Sequence, residues 1–145
     1  MLSYKKKLRV SAEEIYDLLV QQVIAEARQK GGKDFTVEDF NKGLKYKSSK
    51  KLSGKLEDAS VSVKKPIENR KISFTYFIKG VTYDFSYNIT PEEDGTCTLE
   101  YNQTSNPAQK ENWFARLMNN RNSRAKFSSM EKYIIQNRNK QNNEE

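Results

Sequence analysis

The chain has 145 residues and a formal net charge of +7; 35% of its residues are hydrophobic and 31% are charged. Its length suits one domain, and the absence of histidine excludes Ser-His and His-metal mechanisms. A single cysteine, Cys97, excludes a disulfide framework and a cysteine-based zinc site. Because the sequence predicts neither a secretory signal nor a membrane-spanning run, we expect a cytoplasmic protein.

The N-terminal part of the chain predicts a strand followed by a long helix. Residues 2–10 alternate apolar and basic side chains, and Lys6 interrupts the apolar face. Ser11 and Glu14 have the spacing of a capping box, which predicts the start of a helix of about 19 residues that ends at the glycines at positions 31–32. The apolar stripe of this helix is formed by Ile15, Leu18, Leu19, Val23 and Ala27.

A short second helix and a strand follow the first helix. Residues 36–41 predict the helix, with Thr36 as its N-cap and Gly43 as its C-cap. Residues 44–49 predict a strand. The next segment, residues 50–58, is polar throughout most of its length and predicts a loop.

The centre of the chain predicts an antiparallel meander of four or five strands. A two-residue hairpin turn at residues 79–80 places Phe74 opposite Phe85. With this register, every large apolar side chain except Phe77 falls on one face of the sheet. The opposite face carries serine, threonine, asparagine and acidic side chains, so we expect it to face water.

Two further turns predict how the remaining strands of the meander pair. The turn at residues 91–95 places Phe85 beside Tyr101. A turn before the first central hairpin places Val63 beside Tyr76. Both pairings put the same apolar side chains on the inner face, because side chains alternate along a strand.

The last third of the chain predicts a long helix. Asn106 and Pro107 have the residue types of an N-cap and a first helical position. Residues 119–124 are polar, so the sequence does not decide whether the helix is continuous there or has a kink or a short break. We expect one domain over residues 1–138 and a polar, disordered tail over residues 139–145. Two apolar clusters mark the helix: Trp113, Phe114, Leu117 and Met118, and then Phe127, Met130, Tyr133 and Ile134.

Four parts of the sequence carry a resemblance to known proteins: the opening LRVSAEEIYDLL, the segment FNKGLKYK, the meander, and a closing helix with the spacing of Phe127, Met130 and Ile134. The chain resembles the START-like, or helix-grip, superfamily, and a family of small bacterial domains of unknown function found mostly in Firmicutes. The resemblance implies an α+β fold. In that fold a curved antiparallel sheet wraps around a long C-terminal helix, with one N-terminal helix and a short second helix.

The resemblance also implies a ligand cavity between the sheet and the last helix. Four of the six aromatic residues on the inner face of the meander are tyrosines, and a buried phenol needs a hydrogen-bond partner. Such a face suits an amphipathic cavity, and it also suits a packed core whose hydroxyls reach the rim or an ordered water. The predicted lining residues are Phe74, Tyr76, Tyr83, Phe85, Tyr87, Tyr101, Trp113 and Leu117.

Few residues suit acid–base catalysis. No carboxylate within residues 59–104 points inward in the predicted register, so a proton-transferring group would have to be Glu111, Glu131, Lys6 or Lys65. The resemblance supplies no catalytic residues. We therefore favour a non-catalytic protein over an enzyme and expect no cofactor and no metal.

Two functions remain open. The leading hypothesis is a carrier or sensor that binds an apolar or amphipathic small molecule in the predicted cavity. The alternative is an interaction or regulatory module whose basic surface binds an acidic protein, nucleic acid or anionic lipid. For that alternative the candidate anion-binding residues are Arg121, Arg124 and Lys126.

Overall fold

The computed structural model of the protein describes residues 2–52, 55–106 and 120–144. Its six described strands form one antiparallel sheet in the order β1-β6-β5-β4-β3-β2. The inner face of this curved sheet shares one core with α1 and α3, which confirms the predicted α+β architecture. The elements are β1 (Leu2–Leu8), α1 (Ala12–Gly31), α2 (Val37–Lys42), β2 (Leu44–Leu52), β3 (Lys55–Val63), β4 (Lys71–Ile78), β5 (Val81–Pro91), β6 (Cys97–Asn106) and α3 (Asn120–Glu144).

Helix α1 begins at the predicted capping box. The Glu14 N–H donates to Ser11 Oγ at 3.1 Å, and the Ser11 N–H donates to Glu14 Oε1 at 3.0 Å. Gly32 ends the helix in the left-handed region, with φ 69°. Leu18 is only partly buried, because it lies at an open groove between α1 and α3. The residues that the helix buries are Ala12, Ile15, Tyr16, Leu19, Val20, Ile24 and Ala27.

Replacing Ser11 with alanine is expected to lower the free energy of unfolding by about 1 kcal/mol, because one N-terminal amide of α1 then loses its acceptor. Urea unfolding of both proteins measures the difference. The exposed Ser3 supplies the control, since Ser3→Ala removes a hydroxyl from β1 without touching a helix cap. An unchanged midpoint for Ser11→Ala would contradict the capping contact.

Helix α2 and its caps agree with the prediction, but the loop predicted over residues 50–58 is wrong. Strands β2 and β3 continue through most of that segment, with Ser49 opposite Asp58 and Lys50 opposite Glu57. Backbone hydrogen bonds and cross-strand polar pairs hold such a hairpin together without an alternating apolar pattern. Hydrophobic periodicity therefore gives no signal here.

The register of the central hairpin is confirmed. Phe74 pairs with Phe85 on either side of a turn at Lys79 and Gly80. Both turn residues have positive φ, 49° and 76°, as the tight hairpin turns of antiparallel sheets require. Phe77 is half exposed on the outer face, as predicted.

The other two predicted pairings are displaced by two residues. Phe85 lies opposite Gln103 instead of Tyr101, because the Glu92 N–H donates to the Thr96 carbonyl and closes a shorter loop than predicted. The displacement leaves every side chain on its predicted face, since the pattern of a strand repeats every two residues.

On the other side of the meander, Val63 lies opposite Phe74 instead of Tyr76. The Lys64 N–H donates to the Ser73 carbonyl, whereas Ile67 bridges to Lys71. The chain therefore contains one extra residue between these two contacts on the β3 side. A proline lies in this stretch, and a proline supplies no N–H for regular pairing.

Helix α3 packs on the core through Phe127, Met130 and Ile134, as predicted. The prediction that Tyr133 joins this cluster is wrong, because its side chain is 51% exposed. Each residue advances a helix by about 100°, which turns this side chain away from its buried neighbour at position 134. The helix extends to Glu144, and the domain boundary at residue 138 stays a prediction.

The segment before α3, residues 107–119, lies outside the described residues, and with it the first apolar cluster and the predicted helix start. The described helices include none that is long and apolar enough to cross a membrane.

Two ion pairs tie α3 to the junction between β1 and α1. The Arg9 backbone N–H and guanidinium donate to the two carboxylate oxygens of Glu131, at 2.7 and 2.9 Å. The Arg138 guanidinium donates to Glu14, with one contact at 2.6 Å. Glu14 therefore takes part in two contacts: the ion pair with Arg138 and the capping box of α1.

These contacts change the pKa of both carboxyl groups. The hydrogen bond from Arg138 lowers the pKa of Glu14 from 4.5 to about 2. Burial acts to raise the pKa of Glu131, but the hydrogen bonds and charge of Arg9 outweigh it, so the pKa of this group is lowered.

Stability is expected to fall as the pH decreases from about 4.5 to about 2, because both carboxylates bind fewer protons in the folded state than in the unfolded state. The stabilisation is complete above the pKa of the unfolded chain and disappears below that of the folded chain. Urea unfolding across this pH range measures it. Glu14→Gln, which keeps a cap acceptor, should flatten the dependence, whereas Glu13→Gln at an exposed neighbouring site should not. Equal slopes in all three proteins would contradict the assignment.

Candidate functional site

The inner face of β4, β5 and β6 carries the predicted aromatic residues. Strand pairing places Phe74 beside Phe85 and Tyr76 beside Tyr83. The observed register also places Tyr87 beside Tyr101. The alternation along each strand, which the sequence already shows, is the reason that these side chains share one face.

The rings form one aromatic cluster, defined here as Phe74, Tyr76, Phe85, Tyr87 and Tyr101. Centroids of the Phe74 and Phe85 rings are 5.1 Å apart, and those of Tyr87 and Tyr101 are 5.2 Å apart. Tyr76 meets Phe85 edge-on at 5.3 Å. Phe74 is partly buried, and the other four are exposed by 6% or less. These separations are those of aromatic pairs in contact.

Three tyrosine hydroxyls on this face have polar partners. Tyr101 Oη donates to Gln103 Oε1 at 3.0 Å, and Tyr76 Oη donates to Glu26 Oε1 at 3.3 Å. Lys126 Nζ donates to Tyr87 Oη at 2.7 Å. Burial raises the pKa of both Tyr76 and Tyr101, which keeps these phenols neutral and able to donate.

Sequence reasoning missed Gln103, which is 1% exposed in the middle of the inner face. The available signal was its position in the alternation, two residues after Tyr101 and four after Leu99. A buried glutamine amide is costly unless it is hydrogen-bonded, and Tyr101 supplies one such bond. Gln103 therefore adds a polar group to an otherwise aromatic and aliphatic surface.

The site residues that were predicted on the last helix do not all lie at the inner face of the sheet. Trp113 and Leu117 lie outside the described residues. Of the candidate anion-binding residues, Arg121 lies on α3 and Arg124 is exposed. Lys126 faces the sheet, with its ammonium 5.4 Å from the centre of the Tyr87 ring. Lys126 thus belongs to the inner face as well as to the basic surface.

The structure also shows where most of the candidate acid–base groups lie. Glu131 is the one buried carboxylate among the described residues, and both of its oxygens accept hydrogen bonds from Arg9. Lys6 Nζ lies 3.4 Å from Ser128 Oγ, Lys65 is exposed, and Glu111 lies outside the described residues. The described ranges contain no group of three or more His, Cys, Asp or Glu side chains that could hold a metal ion.

Cys97 is fully buried. Burial raises the pKa of its thiol to about 11. A thiol in this state is a poor nucleophile, because the thiolate is the reactive form. Cys97 therefore serves as an apolar core residue.

Solved structures with a similar fold share little sequence identity with this chain. TTHA0849 from Thermus thermophilus is 11% identical and superposes with a TM-score of 0.55 over 92% of this chain and 96% of that chain. Protein MLL2253 from Mesorhizobium loti is 14% identical, with a TM-score of 0.54 over 94% and 96%. At such identities the likeness concerns the fold alone.

A third structure, At1g70830 of the major latex protein family from Arabidopsis thaliana, is 12% identical, with a TM-score of 0.49 over 92% of both chains. No relative was found among curated proteins. Residues 2–121 match the family described as domain of unknown function DUF3284. The curved sheet packed against a C-terminal helix is a helix-grip architecture, and because the match spans most of the chain, the protein belongs to the DUF3284 family.

Proposed function

We propose that the protein binds an amphipathic small molecule between the inner face of the sheet and α3, as a carrier or sensor without catalysis. The observation that supports this proposal is that two tyrosine hydroxyls of the aromatic cluster have polar partners, Gln103 on β6 and the exposed Lys126 on α3. A packed core that binds no ligand is built more simply from aliphatic residues and phenylalanine, which have no polar side-chain atoms. In small-molecule sites, a few polar groups in an apolar wall fix the orientation of the ligand.

The distribution of polar groups indicates the kind of ligand. Tyr87 and Lys126 supply a hydroxyl and a cation next to each other, which suits a carboxylate or another hydrogen-bond acceptor. Phe74 and Phe85 supply stacked rings that suit an apolar body. An acidic amphiphile would match both parts of this surface.

The family resemblance and the position of the cluster support the same proposal. In the START-like superfamily, which the sequence resembles, the space between the sheet and the last helix is often a ligand cavity. The aromatic cluster occupies the corresponding face of the sheet. The buried carboxylate Glu131 is engaged by Arg9, and this favours binding over acid–base catalysis.

Native mass spectrometry of the freshly purified full chain tests the proposal first. We expect an additional mass from a retained cellular molecule that disappears after organic extraction. The extracted protein is then titrated with 11-(dansylamino)undecanoic acid, whose fluorescence rises in an apolar site. Absence of both a retained molecule and probe binding would contradict the proposed function.

Two variants locate the site. Tyr87→Phe removes the hydroxyl but keeps the ring, and Lys126→Gln removes the cation; each should weaken probe binding about 10-fold, since a hydrogen bond to a charged group is worth about 1.5 to 3 kcal/mol. Lys132→Gln, at an exposed position on the same helix, is the matched control and should change the affinity less than about 2-fold. Equal effects of all three changes would contradict this location.

A further inference from the structure

A second candidate site lies beside the edge strand β2, away from the aromatic cluster. A groove of about 610 Å³ opens where the loop after α1 meets the outer face of β2, β3 and β4. Its volume is within the range of small-molecule sites. The sheet side of this groove consists of two rows that cross three strands: Lys47, Ser60 and Phe77, and Lys45, Ser62 and Thr75.

The charged residues that line this groove are all lysines. Lys33 comes from the loop, and Lys45 and Lys47 come from β2; all three are exposed. Lys47 Nζ donates to Ser60 Oγ at 2.7 Å. Within the parts of the chain that the structure describes, neither Lys33 nor Lys45 forms an ion pair. The groove therefore attracts an anion.

Nearby carboxylates set the direction in which an anionic ligand would lie. Asp84, one strand beyond the groove on β5, accepts a hydrogen bond from the Thr75 hydroxyl at 2.6 Å. Asp58 lies on the same face, one row beyond Ser60, opposite Ser49. Neither lines the groove. Asp84 consequently disfavours a negative group over β4 and β5, and the three lysines at the other end of the groove favour one there.

The opposite end of the groove presents an aromatic ring. Phe77 is 50% exposed on a face that is otherwise polar along β4. Strands are about 4.8 Å apart, so the backbone of Phe77 lies about 10 Å from that of Lys47. A ligand that spans this distance would combine a negative group at one end with a flat ring at the other.

We propose that this groove binds a phosphorylated nucleoside, either as a free nucleotide or as a unit of single-stranded nucleic acid. The phosphate lies among the three lysines, and the base stacks on Phe77. The hydroxyls of Ser60 and Ser62 on β3 lie between them and offer hydrogen bonds to the sugar. An acidic peptide added to β2 would run along that strand, whereas the groove runs across three strands.

Titrations of the full chain, followed by ¹⁵N–¹H NMR, test this proposal with four probes. These are adenosine 5′-monophosphate, a short oligodeoxythymidine, adenosine and inorganic phosphate. We expect shifts at the amides of Lys45, Lys47 and Phe77 with one or both phosphorylated probes, and weaker binding of adenosine and of phosphate alone. Binding of the mononucleotide identifies a free nucleotide as the ligand, and binding of the oligonucleotide alone identifies a single strand.

Variants separate stacking from charge. Phe77→Ser should weaken binding about 10-fold, as expected for one stacked base. Lys45→Gln combined with Lys47→Gln should weaken it by at least about 10-fold and flatten the salt dependence by about two units. The matched control combines Lys5→Gln with Lys71→Gln, which removes the same charge from exposed positions on the same face outside the groove. This control should lose less than about 2-fold.

Three results would overturn the proposal. In the first, no phosphorylated probe binds. In the second, inorganic phosphate binds as tightly as the nucleotide and Phe77→Ser has no effect, which shows attraction by charge alone. In the third, the control pair weakens binding as much as the groove pair, which shows that the groove is not the site.

Discussion

Replacing Phe85 with alanine is expected to lower the free energy of unfolding by about 3 to 5 kcal/mol. Its side chain is 3% exposed at the centre of the aromatic cluster. Its ring stacks on Phe74 at 5.1 Å and meets Tyr76 at 5.3 Å. Alanine loses these contacts and leaves a cavity that the surrounding β-strands fill only in part. Urea unfolding at neutral pH measures the difference.

Phe77→Ala is the matched control, because it makes the same chemical change on the opposite face of the sheet. Since Phe77 is half exposed, this substitution should change stability by no more than about 0.5 kcal/mol. A loss below about 1 kcal/mol for Phe85→Ala would contradict a packed aromatic cluster and would indicate a loosely filled space at this position.

Replacing Phe127 with alanine should cost about 3 to 5 kcal/mol as well, because this side chain anchors α3 on β1. It is 1% exposed, and its ring meets Tyr4 edge-on at 5.0 Å. Urea unfolding measures the loss of stability. Hydrogen exchange should show earlier opening of α3 than of the central strands, since the helix loses its principal apolar contact.

Tyr133→Ala on the same helix serves as the control, with a side chain that is 51% exposed. It should change stability by no more than about 0.5 kcal/mol. Equal effects of the two substitutions would contradict the observed orientation of α3. A small effect of Phe127→Ala alone would show that the two ion pairs, rather than apolar packing, hold the helix in place.

The sequence predicted the faces of the sheet better than the pairing of its strands. Phe85 lies on the inner face as predicted, although its partner is Gln103 and not Tyr101. Alternation repeats every two residues, so an error of two residues in a turn changes each partner but no face. The loop closure at Glu92 and Thr96, which decides the pairing, depends on backbone hydrogen bonds that composition does not reveal.

For the candidate sites, too, the sequence indicated which residues share a face but not which residues contact each other. Tyrosines on the inner face were evident from the sequence, but their partners were not. Lys126 reaches Tyr87 from a residue 39 positions away, and Glu26 reaches Tyr76 from 50 positions away. The lysine-lined groove depends on the pairing of a polar hairpin that periodicity does not detect. Contacts between distant segments arise only when the chain has folded.

The sequence by itself determined the α+β class, the start of α1 at Ser11, the central hairpin and the separation of an aromatic face from a polar face. Each of these depends on residues that are close together in the chain: a cap four residues long, a two-residue turn, or an alternation along one strand. The tertiary structure decided which phenols have partners, that Tyr133 faces solvent, and that Lys45, Lys47 and Phe77 line one groove. These features depend on register and on helix docking, which are set by packing and hydrogen bonds between segments far apart in sequence.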